Sequence, residues 1–285
     1  MNRKTLLAIS FLLLLSAAAY AFLPRLLDRE RGEKLPESPV DEHPLDLAER
    51  SGRLTILYDN NPYNESLETA WGFSCLVELG NITILFDTGG EERVLANNIE
   101  ALEVDVGEID CLVFSHEHWD HVGGMNAILE TNSDVTVYML DSFPSTVKEG
   151  ARSAGAEVVE VRNATVVCEG VATTGVLGTE IEEQALIINT HNGLVIITGC
   201  SHPGVVEIVE RAIELTGLEV YLVMGGYHLG NRGDIELMRI VSEMTELGVE
   251  KVAPTHCSGE PARRRFRDSY GEDYIEAGVG FSLDF

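Results

Sequence analysis

Apolar and polar positions divide the chain into stretches of different character. The nineteen residues from Thr5 to Leu23 (TLLAISFLLLLSAAAYAFL) carry no charge, and a helix of that length spans about 28 Å, close to the hydrocarbon thickness of a bilayer. We therefore expect residues 1–23 to form a transmembrane anchor or a cleaved signal peptide, with Ala19 and Ala21 at a candidate cleavage site. Residues 24–52 combine prolines with many charges, which is typical of a linker.

From residue 53 to residue 285 the pattern predicts alternating strands and helices. Short apolar runs predict strands at 54–58, 73–78, 82–86, 109–115, 135–139, 157–161, 165–168, 185–190, 194–198, 218–224 and 249–254. Helical periodicity predicts helices at 91–102, 124–130, 204–215, 235–247 and 261–270. Gly80 and Asn81 predict a hairpin turn. Hairpins mixed with single helices predict an α/β fold in which two sheets pack together with helices outside.

One short segment concentrates residues that bind metal ions. Residues 115–124 read SHEHWDHVGG, so His116, His118, Asp120 and His121 fall within six positions directly after an apolar strand. Imidazoles and a carboxylate suit zinc, iron or manganese. No single regular element puts all four on one face, but a loop that turns into a helix can supply His116 and His118 to one ion, and Asp120 and His121 to another.

Two further histidines follow predicted strands in the same way. His202 lies in TGCSHPG after the strand at 194–198, and His256 lies in PTHCSG after the strand at 249–254. Because sites commonly form where loops leave a rigid scaffold, we expect both histidines to join the first cluster.

The ordered motifs resemble the metallo-β-lactamase superfamily. HEHWDH is similar to its H-x-H-x-D-H signature, LFDTGG (85–90) to its strand-end aspartate motif, and TGCSHPG and PTHCSG to its later ligand motifs. The resemblance implies a four-layer αβ/βα sandwich with the site at one sheet edge. It implies one metal ion on His116, His118 and His202 and another on Asp120, His121 and His256. Asp87 then orients a ligand, as such outer partners do.

The segment between the last two histidine motifs departs from the family. Many members carry a bridging aspartate after this strand, but the strand at 218–224 ends in MGGYHL, without a carboxylate. His228 in this segment is the nearest candidate to compensate, as a metal ligand or a contact for an anionic substrate. The pair GCSHPG and GGYHL resembles the dihydropteroate-synthase-like subgroup, whose namesake archaeal enzymes join a pterin diphosphate to a ribosyl-aminobenzene phosphate.

The net charge and the cysteine content limit which partners and which kind of fold we expect. The formal net charge of −27 disfavours nucleic-acid phosphates, so we expect a small anionic substrate instead. Five cysteines with no framework spacing argue against a disulfide-built fold. Cys200 and Cys257 lie in the later histidine motifs. They either pack in the interior, support the metal ligands, or form a disulfide near the site. Four arginines lie close together near the end of the chain, namely Arg263, Arg264, Arg265 and Arg267. This late arginine group forms either a solvated helix face or a contact for a phosphate.

Three functions fit these observations. The first is a metal-dependent hydrolase that acts through a metal-activated hydroxide on an ester, amide or phosphate-type substrate, with two divalent ions such as zinc and with Asp120 and His228 as catalytic residues. The second is a transferase that joins a pterin diphosphate to an arylamine. The third is a metal-binding protein without turnover. The apolar segment at residues 5–23 predicts a membrane-anchored or secreted protein with an extracytoplasmic domain.

Overall fold

Two β-sheets form the framework of the computed structural model, which describes residues 45–285. The strands in these residues are β1 (Arg53–Asp59), β2 (Phe73–Leu79), β3 (Ile82–Phe86), β4 (Cys111–Val113), β5 (Thr136–Leu140), β6 (Glu157–Val161), β7 (Thr165–Cys168), β8 (Val171–Thr173), β9 (Leu186–Thr190), β10 (Gly193–Thr198), β11 (Val220–Gly226), β12 (Lys251–Thr255) and β13 (Ser282–Asp284). One sheet has the order β13-β1-β2-β3-β4-β5-β6 and the other the order β12-β11-β10-β9-β8-β7.

Helices connect the strands and cover the sheets. They are α1 (Glu92–Ala101), α2 (Trp119–Val122), α3 (Met125–Leu129), α4 (Ser145–Ala154), α5 (Val205–Thr216), α6 (Asp234–Glu246) and α7 (Glu260–Tyr270). Short 3-10 turns lie at Val106–Glu108, His256–Ser258 and Gly271–Asp273. Helix α5 ends at Gly217, whose φ of 69° is left-handed, a conformation that a glycine adopts without steric cost. The predicted mixed α/β sandwich of two sheets is thus confirmed.

The strand directions explain where the loops meet. Strands β1, β2 and β3 are antiparallel neighbours, but β3, β4, β5 and β6 run parallel. In the second sheet β10, β11 and β12 also run parallel. Ligands in such sheets bind beyond the carboxyl ends of parallel strands. The segments after β3, β4, β10, β11 and β12 carry all the predicted site residues.

The second sheet buries both of its faces. Leu194 and Ile196 of β10 are fully buried in a cluster with Ile208 of α5 and Leu237 of α6, and the intervening Val195 and Ile197 are also fully buried. Continuous apolar runs are typical of sheets covered on both sides. At roughly 1.5–3 kcal/mol for each fully buried aliphatic side chain, this packing gives the site loops a rigid base.

The structure corrects the predicted linker at 24–52 in its last residues. Leu45 and Leu47 are 5% and 7% exposed. The Leu45 N–H donates to Leu215 O at 2.6 Å, and the Asn189 side chain donates to Leu47 O at 2.6 Å. The polar composition of 45–52 concealed these two apolar anchors, and these residues belong to the packed domain.

Some elements differ from the prediction. Ser145–Ala154 is a helix that is not among the predicted ones, and Ser282–Asp284 is a strand, also not predicted, that pairs with β1 at the sheet edge. The hairpin turn at Gly80 and Asn81 is confirmed, because Leu79 pairs with Ile82. The predicted membrane or signal segment at residues 1–23 lies outside the described residues. Within residues 45–285 no helix combines the length and the apolar character needed to cross a bilayer.

Candidate metal centre

The structure brings the six predicted ligands together at the carboxyl ends of the parallel strands. His116, His118 and His202 form one group and Asp120, His121 and His256 belong to another, and in each group the potential ligand atoms lie within 4.8 Å of one another. The two groups adjoin, because the ring centroids of His116 and His121 are 4.2 Å apart.

Asp87 fixes the orientation of two histidines in the 115–121 loop. Its carboxylate accepts hydrogen bonds from the backbone N–H and the hydroxyl of Ser115 and from His121 Nδ1, all at 2.7 Å. The Ser115 hydroxyl donates its only proton to Asp87, so it accepts from His116 Nδ1 at 2.9 Å. Both imidazoles therefore carry their proton on Nδ1 and present an unprotonated Nε2.

Glu183 fixes the orientation of His202 in the same way, and no sequence motif predicted this residue. This carboxylate is fully buried. It accepts hydrogen bonds from the backbone N–H groups of Cys200, Ser201 and His202 at 2.8 Å and from His202 Nδ1 at 2.9 Å. Burial alone would raise the pKa of Glu183, but His116 and the hydrogen bonds from His202 hold it well below its usual range.

Asn60 completes the pattern at His256. Asn60 Oδ1 lies 2.8 Å from His256 Nδ1, and the Asn60 amide donates to His256 O at 3.1 Å. The second bond identifies Oδ1 as the acceptor of the Nδ1 proton. The Nδ1 partners of four histidines thus direct Nε2 towards the centre of the site, namely His116, His121, His202 and His256. Burial would lower the pKa of His256, but its hydrogen bond with Asp120 raises it.

The polar groups at the centre fit a cation. His116 Nε2 is buried without a hydrogen-bond partner, which costs free energy unless something binds it. Burial, with His121 beside it, lowers the pKa of His116 to about 3, and burial with His256 beside it lowers the pKa of His121 to about 3. Both imidazoles are neutral at pH 7, which is the form that binds metal ions.

Asp120 stays ionised beside these rings. Its Oδ2 lies 3.7 Å from His121 Nε2 and 3.4 Å from His256 Nε2. Burial would raise the pKa of Asp120, but the adjacent His256 and His121 hold it well below the usual range. Asp120 therefore presents a negative charge to the centre.

Cys200 also lies in the second group. Its Sγ is 3.3 Å from His121 Nε2 and 3.4 Å from His256 Nε2. The Cys257 side chain and burial raise the pKa of the Cys200 thiol. All five cysteines are buried and none is in a disulfide, so Cys200 and Cys257 are not bonded to each other in this structure.

His228 lies at the rim of the centre. Its side chain is exposed, and its ring centroid is 4.5 Å from that of His202. A cavity of about 560 Å³ runs from His202 and His228 past Arg232 and between helices α5 and α6. The cavity gives a small molecule access to the centre from this side.

Backbone strain is concentrated in the same loops. Of the five non-glycine residues with positive φ in residues 45–285, four lie at the centre, namely Asp87 (56°), Ser201 (63°), His228 (54°) and His256 (47°). Left-handed conformations cost free energy for residues with a Cβ atom and cluster at functional sites.

The late arginine group is not part of the centre. Arg263 and Arg267 both pair with Glu276, and Arg265 pairs with Asp234 at 3.4 Å. Arg263 also donates to Asn61 Oδ1 at 2.6 Å. The charges of these three side chains are already satisfied by acidic residues, so the structure favours ion pairing within the protein over a phosphate contact.

Comparisons with known proteins agree with this geometry. Residues 72–256 match the family model of the metallo-beta-lactamase superfamily. A 7,8-dihydropterin-6-methyl-4-(beta-D-ribofuranosyl)-aminobenzene-5'-phosphate synthase from Methanocaldococcus jannaschii is 27% identical over 280 residues, which cover 81% of this chain and 95% of the relative. A solved structure of a metal-dependent hydrolase of the beta-lactamase superfamily is 28% identical, with a TM-score of 0.68, and the match covers 81% of this chain and 98% of that one. The Bacillus subtilis metallo-beta-lactamase fold protein YhfI is similar in fold, with 14% identity, a TM-score of 0.64 and coverage of 83% of this chain and 100% of its own.

Proposed function

Because the chain belongs to the metallo-beta-lactamase superfamily, we propose that it is an enzyme that uses two divalent metal ions to hydrolyse an ester, amide or phosphate-type substrate. The observation that carries the proposal is the convergence of five imidazoles and one carboxylate from three loops on one point. Zinc is the proposed metal, and iron and manganese also accept such ligands.

His116, His118 and His202 would hold one ion, and Asp120, His121 and His256 would hold the other. When bound, two such ions lower the pKa of water and polarise an oxygen of the electrophilic group. The hydrogen bonds on the Nδ1 atoms keep the imidazoles in the orientation that this requires.

Asp120 has the chemistry to hold and move a proton. It is ionised and 6% exposed, and it lies beside His121 and His256. We propose that it orients the attacking water and accepts its proton. The surrounding loops exclude bulk water, because His116, His121 and His256 are all at most 2% exposed.

His228 is proposed to contact the reacting group of the substrate. It is the exposed histidine next to His202, and the Cys257 side chain raises its pKa, which favours the charged form beside an anion. Farther out, the cavity lining carries five glutamates and two arginines. Arg232 and Arg239 pair with Glu236 and Glu243, so Glu207, Glu210 and Glu246 give the lining a net negative charge. A substrate with its negative charge confined to the reacting end therefore fits this cavity best.

Metal removal and single substitutions test the proposed hydrolysis. The full-length protein is assayed against phosphoesters, lactones and β-lactams, with metal bound and after chelation. We expect activity on at least one class, lost on chelation and restored by zinc, and lost in His116→Ala and His202→Ala. His191→Ala is the matched control, because His191 is exposed in a turn outside the centre. Equal hydrolysis by metal-free protein refutes the mechanism.

His228→Ala separates binding of substrate from binding of metal. We expect it to bind the same number of metal ions as the wild type and to hydrolyse the active substrate at least tenfold more slowly. Loss of one metal ion would instead identify His228 as a ligand.

A transferase is the second candidate, and the similarity to a named synthase favours it. With a pterin diphosphate and an arylamine supplied together, a transferase releases pyrophosphate only when the amine is present. A hydrolase acts without the amine. A metal-binding protein without turnover would retain its metal ions and be inactive in both assays.

A further inference from the structure

We propose that Trp71 and Trp119 form an aromatic subsite beside the metal centre, which binds a planar aromatic ring of the substrate while the ions bind its reacting group. The inference rests on the two-metal hydrolase proposed above and adds the chemical class of its substrate, a compound with an aromatic ring next to the bond that is cleaved. Neither tryptophan is a metal ligand or takes part in the proposed proton transfer.

Trp71 covers one of the metal ligands and leaves part of its ring open. Its ring centroid lies 5.0 Å from that of His256, with an angle of 52° between the planes. His256 is 2% exposed, whereas Trp71 is 50% exposed. The following Gly72 holds Trp71 against the ligand loop, because a Cβ atom there would lie 2.4 Å from Asp120 O. A ring placed on the open part of the indole therefore lies next to the second group of ligands.

Trp119 lies in the ligand loop itself, between His118 and Asp120, and is 60% exposed. Its ring packs on Gly90, where a Cβ atom would lie 2.4 Å from Trp119 Cζ3 and 2.9 Å from the carbonyl oxygen of Trp71. Only glycine fits between these two groups. The ring of Trp119 and the backbone of Trp71 thus flank the same residue, and both tryptophans border the metal centre.

Packing alone does not explain why these indoles are exposed. Within residues 45–285 five large apolar side chains are exposed, and two of them are the only tryptophans of the chain. A tryptophan that is buried removes about 150–250 Å² from water, and both of these side chains forgo a large part of that gain. Because both border the candidate metal centre, their exposure indicates a surface that a bound molecule covers.

A planar aromatic ring suits this surface better than an aliphatic chain or a cation. Indole rings bind other rings in offset-stacked or edge-to-face arrangements, which stabilise the contact beyond the area that is buried. An aliphatic group gains only the buried area. A cation also binds the face of an indole, but two divalent ions next to Trp71 would repel it.

The aromatic subsite and His228 lie at the two ends of one series of neighbouring rings. Successive ring centroids in this series are 4.2–5.1 Å apart. In order, the rings belong to His228, His202, His116, His121, His256 and Trp71. A substrate bound at the ions can therefore place its charged side at His228 and its aromatic ring at Trp71.

Binding of two matched phosphonates to the zinc-loaded full-length protein tests the proposal. Phenylphosphonate and cyclohexylphosphonate carry the same anionic group and a six-membered ring, but only the phenyl ring is planar and aromatic, and neither has an ester bond to hydrolyse. Calorimetry should show that phenylphosphonate binds about tenfold more tightly. Trp71→Leu should abolish this difference, and Trp71→Phe should retain most of it. Tyr63→Leu is the matched control, because Tyr63 is an exposed ring that packs on Phe281, and it should leave the difference unchanged.

Tryptophan fluorescence gives a second readout that does not depend on activity. Since the chain has no tryptophan besides Trp71 and Trp119, all tryptophan emission comes from the proposed subsite. Phenylphosphonate should shift this emission to shorter wavelength, because its ring displaces water from the indoles. The shift should persist in Trp119→Phe, where Trp71 is the only emitter, and cyclohexylphosphonate should shift the emission less.

The outcomes distinguish this inference from the function itself. Equal affinities for the two phosphonates, or a preference for the phenyl compound that persists in both Trp71→Leu and Trp119→Leu, overturn the aromatic subsite. It is also overturned if neither phosphonate binds to protein that holds two zinc ions. Hydrolysis without any preference for aryl substrates leaves the hydrolase intact and removes the subsite. A phenyl preference without hydrolysis of any substrate keeps the subsite and overturns the hydrolase.

Discussion

The substitution Glu183→Gln tests how the buried carboxylate holds the 200–202 loop. Glu183 Oε1 accepts the backbone N–H groups of Cys200 and Ser201, and Oε2 accepts the N–H and Nδ1 of His202. An amide replaces one oxygen by an NH₂ group, which cannot accept a hydrogen bond. Whichever way the amide lies, two buried donors lose their partner.

The magnitude follows from those two donors. Each unsatisfied buried donor costs about 1–3 kcal/mol, so the free energy of unfolding of the metal-free protein should fall by about 2–6 kcal/mol. Where the amide NH₂ group takes the place of Oε2, His202 Nδ1 also loses its acceptor, and zinc binding at the first site should weaken about 10–100-fold.

Urea denaturation and competition with a chromophoric chelator measure the two effects separately. Glu180→Gln is the matched control, because Glu180 is exposed in the same segment, and it should change the free energy of unfolding by no more than about 0.5 kcal/mol. If Glu183→Gln unfolds at the urea concentration of the wild type and binds zinc equally well, Glu183 does not have the structural role derived above.

Three further predictions concern the same centre. Asp87→Asn replaces the carboxylate that accepts from Ser115 and from His121 Nδ1 by an amide with a single acceptor oxygen, so calorimetry should show binding of the second metal ion weakened about 10–100-fold, and unchanged affinity would contradict this. Burial lowers the pKa of His116 and His121 to about 3 and raises that of Asp87 to about 7. Between about pH 6 and about pH 5 the unfolded chain therefore binds about two more protons at these histidines than the folded protein does, and about one fewer at Asp87. The unfolded chain thus binds about one proton more in total. The metal-free protein should therefore lose about 1.4 kcal/mol of stability for each pH unit of acidification. A urea midpoint that increases as the pH is lowered over this range refutes these pKa assignments. Gly226→Ala should destabilise the protein by about 1–3 kcal/mol or more because of its backbone clash, whereas Gly150→Ala, where nothing lies within 4 Å of the added atom, should not lower the thermal midpoint.

Local sequence patterns were sufficient to predict the strand ends that carry the site. Apolar runs ended within a few residues before His116, His202 and His256, and parallel strands place such ends at one edge. The pairing of Leu79 with Ile82 followed from a two-residue turn whose chemistry is local.

The residues that orient the ligands could not be predicted in this way. Glu183 follows two other acidic residues in GTEIEEQ, which has the composition of a solvated loop, and only the folded chain shows that it is buried. Asn60 reaches His256 across 196 residues, a separation that no periodicity reports.

Anomalous diffraction from crystals of the zinc-loaded protein tests the two-metal centre most directly. Two zinc peaks are expected roughly 3.5–4 Å apart, one bound by His116, His118 and His202, the other by Asp120, His121 and His256. A zinc-soaked crystal in which His116 Nε2 still has no metal neighbour would contradict it.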